Sequence, residues 1–124
     1  MSAAASRQSL TMPQAPALVL TEPAYIILVA LASRPAHGYR IMQIINDVFR
    51  TDFRVGPGTL YRTLQRLTAA GLIDEVDTVD ESEDERRRAY RLTTNGLASV
   101  KAEVRRLDAL VRLAKAQLAV TDDV

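Results

Sequence analysis

Gly56-Pro57-Gly58-Thr59-Leu60-Tyr61-Arg62-Thr63-Leu64-Gln65-Arg66-Leu67-Thr68-Ala69-Ala70-Gly71 is the stretch whose reading decides the fold. Leu60, Leu64 and Leu67 recur at helical spacing and predict one buried stripe on a helix from Gly58 to Ala70. Before it, two glycines tolerant of unusual backbone angles surround a proline of fixed φ, a tight lead into the helix. Gly71 predicts the C-cap. Thr59, Arg62, Thr63 and Arg66 are expected to share the opposite face, with Tyr61 and Gln65 nearby. A helix needs one stripe to dock, so the other is free to reach a partner. Arginine forks bidentately onto guanine or phosphate, which suits such a stripe to DNA.

The flanking segments fit this reading. Upstream, Ser33 to Ala36 predicts a turn, and Gly38 opens a helix whose buried side is marked by Ile41, Ile44, Ile45 and Val48. Further upstream Thr21 is a candidate N-cap, with Glu22 and Pro23 in the first turn of a helix that runs through Tyr25, Ile26, Ile27, Leu28, Val29 and Leu31. That helix is apolar nearly all round, so its second face needs a cover, and a partner subunit is the economical one. Downstream, Leu72, Ile73 and Val76, then Tyr90 and Leu92, predict two strands joined by a charged loop, a wing. Thr93 or Thr94 then caps a last helix.

In that last helix Leu97, Val100, Val104, Leu107, Val111, Ala114 and Leu118 alternate steps of three and four, a coiled-coil-like seam that Leu110 and Leu113 widen. Such a helix runs roughly 39 Å at 1.5 Å per residue and projects beyond a small domain, which points to a homodimer. Tyr25 and Ile26 with Leu97, Val100, Val104, Leu107, Val111 and Leu118 are the expected interface. The fold class is thus mainly α with a small β-hairpin: a winged helix-turn-helix plus a long C-terminal dimerisation helix. The expected division is a tail over 1–16, a DNA-binding domain over 17–93, the dimerisation helix over 94–119 and a short tail over 120–124.

The 124 residues allow about one domain with a modest core. A net charge of +1 argues for no partner by itself, so the distribution of charge matters. Between positions 34 and 66 stand Arg34, Arg40, Arg50, Arg54, Arg62 and Arg66 against only Asp47 and Asp52. From Asp74 to Glu85 eight acids meet no base, and Arg86, Arg87, Arg88 and Arg91 follow. The absence of cysteine excludes disulfides and thiolate chemistry and favours a reducing compartment. The apolar run Ala24 to Ala32 is too short to span a bilayer, so a cytoplasmic protein is expected, with no membrane association. His37 is the sole histidine, which leaves no triad and no metal set, and neither a cofactor nor a metal is expected. The acidic loop lacks the glycine and ligand spacing of a calcium site. An enzyme would need paired carboxylates in a cleft, whereas these acids cluster on a loop.

The segments Leu20-Thr-Glu-Pro-Ala-Tyr-Ile-Ile-Leu, His37-Gly-Tyr-Arg-Ile41, Gly56-Pro-Gly-Thr-Leu-Tyr-Arg62, Gly71-Leu-Ile73 and Arg88-Ala-Tyr-Arg-Leu-Thr-Thr-Asn-Gly96, in this order and spacing, closely resemble the PadR family of transcriptional regulators. The similarity covers about Leu18 to Leu118, and the single C-terminal helix looks like the family's smaller branch. The resemblance implies a homodimeric winged-helix protein that binds double-stranded DNA at a palindromic operator, most often as a repressor. It places Tyr39 and Thr59 to Tyr61 near DNA and brings the wing arginines to the minor groove or phosphates. It also implies that a small hydrophobic or aromatic effector enters the dimer cleft. The DNA-binding set expected here is therefore Tyr39, Thr59, Tyr61, Arg62, Thr63, Arg66, Arg87 and Arg88. This sequence departs from the family in its acidic wing tip, Asp80 to Glu85, which would repel phosphate, and in having no tryptophan on which an effector could stack. The alternative is a winged-helix protein-interaction module that uses the acidic wing to hold a basic partner and does not bind DNA.

Overall fold

The computed structural model describes residues 20–49, 52–77 and 88–120. The expected tail over 1–16, the acidic wing tip, Arg50, Arg86 and Arg87 lie outside the described residues, as do positions 121–124. In chain order the elements are α1 (Glu22–Ala30), β1 (Ala36–His37), α2 (Gly38–Gln43) continuing as a π-helical turn (Ile44–Val48), α3 (Pro57–Ala69), β2 (Ile73–Val76), β3 (Ala89–Leu92) and α4 (Thr94–Val120). The fold is mostly helical with one small antiparallel sheet.

Helix α1 starts where its cap chemistry directs. The Thr21 hydroxyl accepts from the Ala24 amide at 3.3 Å, and proline occupies the first turn, where its missing N–H costs nothing. Ile27, Leu28 and Leu31 are fully enclosed and meet Ile41, Ile45, Leu60, Leu64 and Ile73 in one core. Each such side chain contributes roughly 1.5–3 kcal/mol when taken from water, so α1 is the axle on which α3 and α4 pack.

Three expectations change. The wing is not a lone hairpin, because Ala36 and His37 form a short third strand, paired antiparallel with Tyr90 and Ala89, and the sheet order is β1-β3-β2. Two residues are too few to show a period, so this strand exists only through its tertiary pairing. Second, Val48 belongs to the outer surface, 55% exposed, rather than to the buried side of α2. The Phe49 amide reaches back five residues to the Ile44 carbonyl, and this wider turn breaks the 3.6-residue spacing that would have put Val48 beside Ile41. Third, Gly56 and Gly58 adopt no unusual angle. Pro57 sits in the first turn of α3, Gly56 is its extended N-cap, and Gly71 (φ 78°) is the positive-φ glycine among the described residues.

Gly71 does close α3 as expected. Its amide bonds to the Thr68 carbonyl and the Leu72 amide to the Leu67 carbonyl, a Schellman pair that directs the chain into β2. Thr93, rather than Thr94, caps α4: its hydroxyl accepts from the Gly96 amide at 2.9 Å and donates to the Gly71 carbonyl at 2.7 Å. A Cβ on Gly96 would lie 2.0 Å from the Leu72 carbonyl oxygen, so only glycine permits this approach.

Candidate nucleic-acid interface

Helix α3 buries Leu60, Leu64 and Leu67, the stripe expected from their spacing, and turns Tyr61, Arg62, Gln65 and Arg66 outward. Thr59 lies half-buried at the edge of this face. Thr63 does not share it. It is only 9% exposed, and the reason is angular: three residues after Leu60 and four before Leu67, it stands on their side of the helix. Helical spacing applied to Thr63 itself would have found this, and the threonine is a packing residue rather than a reader of bases.

Among the described residues the arginines of this region form no ion pair. Arg34, Arg40, Arg54, Arg62 and Arg66 are all exposed. Tyr39, on the first turn of α2, is likewise exposed. Tyr61 is 47% exposed, yet its ring lies over the start of α2: a Cβ built on Gly38 would meet its hydroxyl at 2.6 Å and its ring carbons at 2.9 Å. A tyrosine so placed has one side of its ring fixed by backbone and its other side in solvent.

The loop into α3 is fixed by a residue that sequence patterning did not single out. The Asn46 carboxamide donates to the Val55 carbonyl at 3.1 Å and accepts from the Val55 amide at 3.0 Å. The Arg54 guanidinium donates to the Asn46 backbone carbonyl. A side-chain amide that mimics a strand partner in this way satisfies both polar groups of buried Val55 and sets the angle at which α3 leaves the loop. A polar residue inside an apolar period was the available signal.

The wing carries its own counterions. Arg88 bonds Glu75 at 2.7 Å, and Arg91 lies 3.8 Å from Asp74, its cross-strand neighbour in the β2–β3 register. All four side chains are substantially exposed, so each pair contributes little to stability, but each offsets a charge that phosphate would otherwise meet. Tyr90, buried beneath them, has its phenol pushed above the usual range, first by burial and then by Glu75 and Tyr61, against Arg88. Tyr61, Tyr90, Glu75 and Arg88 thus form one neighbourhood that joins the wing to α3.

The expected dimer residues divide. Val100 belongs to the protomer's own core at 8% exposure, because it faces α1, and so leaves the interface set. Leu107 is half-buried, as are Tyr25 and Ile26 on α1. Leu97, Val104, Val111 and Leu118, with Leu110 and Leu113, are exposed along α4. Glu103 is buried in the same helix, and its two oxygens accept from Arg106 at 3.1 and 2.6 Å, which holds the carboxyl below its usual range. No helix among the described residues is long and apolar enough to cross a membrane. None of the described His, Asp and Glu side chains cluster as a metal site.

Comparison with known proteins agrees with this geometry. A family model described as the transcriptional regulator PadR-like family matches residues 27–102. A transcriptional regulator of Mycobacterium tuberculosis is 40% identical over 87 residues, 69% of this chain and 76% of that protein. Among solved structures, a PadR family transcription regulator from Clostridium difficile superposes with a TM-score of 0.69 at 22% identity, covering 79% of this chain and 99% of the other. Bacillus subtilis PadR in complex with operator DNA superposes at 0.59 with 23% identity, covering 65% of this chain and 45% of that one.

Proposed function

From the premise that this chain belongs to the PadR-like family of transcriptional regulators, we propose that it is a sequence-specific DNA-binding repressor acting as a homodimer on a palindromic operator. The observation that carries this reading is the outward face of α3. Arg62 and Arg66 stand there unpaired among the described residues, between Gln65 and a Tyr61 ring anchored on Gly38. Both arginines suit bidentate contact with guanine edges, while Tyr39, Thr59 and Tyr61 suit the flanking phosphates. Arg88 joins them only by exchanging Glu75 for phosphate.

The homodimer is supported by α4. Its row of exposed Leu97, Val104, Leu110, Val111, Leu113 and Leu118 is an apolar strip of the kind that a second copy covers. A two-fold axis through that contact would set two α3 helices about one DNA turn apart, which matches a palindrome. A small hydrophobic or aromatic effector between the α1 and α4 helices of the two copies would act by favouring another angle between the winged heads.

The test is fluorescence anisotropy on labelled duplex from upstream of the protein's own gene, against a scrambled duplex, over a salt series. Repressor action requires sequence-dependent binding whose logarithm falls linearly with that of salt concentration. Absence of binding to either duplex at low salt would overturn it and favour the protein-interaction module, whose supporting feature is the acid-paired wing.

A further inference from the structure

Away from the outward face of α3, a cleft of about 480 Å³ opens between the end of α1, β1 and the π-helical turn. Its walls include Val29, Ile44, Val48 and Phe49, and its polar lining includes Arg34, Arg40 and His37. Among the described residues no aspartate or glutamate lines it. We propose that this cleft binds a small amphipathic organic anion, a carboxylate on a compact apolar body, with the carboxylate between Arg34 and Arg40.

Four observations converge on that chemistry. The volume lies within the range of about 300–1,000 Å³ typical of small-molecule sites, most of which pair apolar walls with a few polar groups. Arg34 and Arg40 are exposed, pair with no carboxylate among the described residues, and bring two positive charges to a lining without a negative one. Among the described residues Arg40 bonds the neutral Gln43 side chain, at 3.3 Å, and no carboxylate. His37 lines the same cleft, and the Nδ1 of its imidazole ring is shut off from water and has no hydrogen-bond partner among the described residues. Finally, the wall made by Ile44 and Val48 is the π-helical turn, an irregularity that recurs at functional sites, and it is what turns the valine outward. Inorganic phosphate would satisfy the arginines but leave the apolar walls unused, and a neutral apolar molecule would leave the arginines unused.

His37 makes the site directly observable, because it is the chain's single histidine and gives one imidazole Cε1–H resonance by NMR. The full-length protein is titrated with sodium hexanoate, with 1-hexanol as its neutral counterpart, and with inorganic phosphate, without DNA, so the result is independent of operator binding. The expected result is a saturable shift of that resonance with hexanoate. The affinity should be about tenfold or more lower for hexanol, for phosphate, and for hexanoate on an Arg34→Gln/Arg40→Gln variant, the loss of a charge-assisted contact. Both substitutions are at exposed positions, and the unchanged dispersion of the amide spectrum checks that the variant is folded. Absence of a saturable shift, as when another part of the chain already fills the cleft, overturns the proposal. So does equal affinity for hexanol or phosphate, or undiminished binding to the variant.

Discussion

Replacing Gly38 with alanine separates the placement of Tyr61 from the stability of the fold. The added Cβ would lie 2.6 Å from the Tyr61 hydroxyl and 2.9 Å from two ring carbons, whereas non-bonded carbon atoms rest at about 3.5–4.0 Å. The ring must therefore withdraw by about 1 Å. It has room to do so, since nearly half of the residue faces solvent. Gly38 itself has no positive φ, so alanine fits its backbone and restricts the unfolded chain, a gain of about 0.4–1 kcal/mol that offsets the displacement. Thermal unfolding is thus expected within about 1 kcal/mol of the wild type. Affinity for the operator should fall by about 1–2 kcal/mol, roughly 5- to 30-fold, as the phenol leaves its position over the start of α2. A double-mutant cycle isolates the cause: on a Tyr61→Ala background, Gly38→Ala should cost no further affinity. An equal loss on both backgrounds, measured by anisotropy, would refute the argument, as would a fall in stability of more than about 2 kcal/mol, which would mean that the ring cannot swing.

Arg62→Ala and Arg66→Ala are each expected to cost about 1–3 kcal/mol of operator affinity and to relax sequence preference, while Thr63→Ala lowers the melting temperature and leaves preference intact; anisotropy on single-base operator variants distinguishes them. Gly96→Ala sets a Cβ against the Leu72 backbone oxygen and should destabilise by about 1–3 kcal/mol or more in urea unfolding, since backbone yields less readily than a side chain. Leu110→Glu with Leu113→Glu should give a monomer in analytical ultracentrifugation while leaving the far-ultraviolet spectrum helical. The Glu103 carboxyl, held low by its bonds from Arg106, contributes stability above the ordinary carboxylate value of about 4.3 and loses it as pH falls through its own lower value. The melting-temperature gap between wild type and Glu103→Gln should therefore close on acidification.

What the sequence made legible was whatever repeats at a helical or alternating period or carries a stereotyped cap. The Leu60, Leu64 and Leu67 stripe, the Thr21 cap and the Gly71 stop are all local statements, and each holds. Strand β1 was not legible because two residues show no period and acquire their state from pairing with Tyr90 and Ala89. The π-helical turn was not legible either, since nothing in Ile44-Ile45-Asn46-Asp47-Val48 excludes an ordinary helix. At the candidate site, Arg62 and Arg66 followed from the wheel, whereas Thr63 was assigned by its hydroxyl rather than by its angle. The pairing of Arg88 with Glu75 depended on strand register, which composition cannot supply.

The contacts that could not be read from the sequence are also those that place α3. At its beginning, Asn46 grips both polar groups of Val55, so the loop is tied to α2 one residue before the N-cap. At its end, the Gly71 carbonyl accepts from the Thr93 hydroxyl and the Leu72 carbonyl from the Thr93 amide at 3.1 Å, with Gly96 pressed against the same oxygen. Threonine 93 is at once the N-cap of α4 and the tether of the α3 terminus, so the two helices share one small set of hydrogen bonds. In a homodimer joined along α4, as proposed, that sharing would convert the geometry of the dimer contact directly into the spacing of the two α3 helices. Any change in the angle between the α4 helices would then shift both outward faces relative to the half-sites, without any rearrangement inside α3. Such a dimer would respond through the relative placement of its two winged heads, and the Thr93 hydrogen bonds, which join the end of α3 to the start of α4, would transmit that placement.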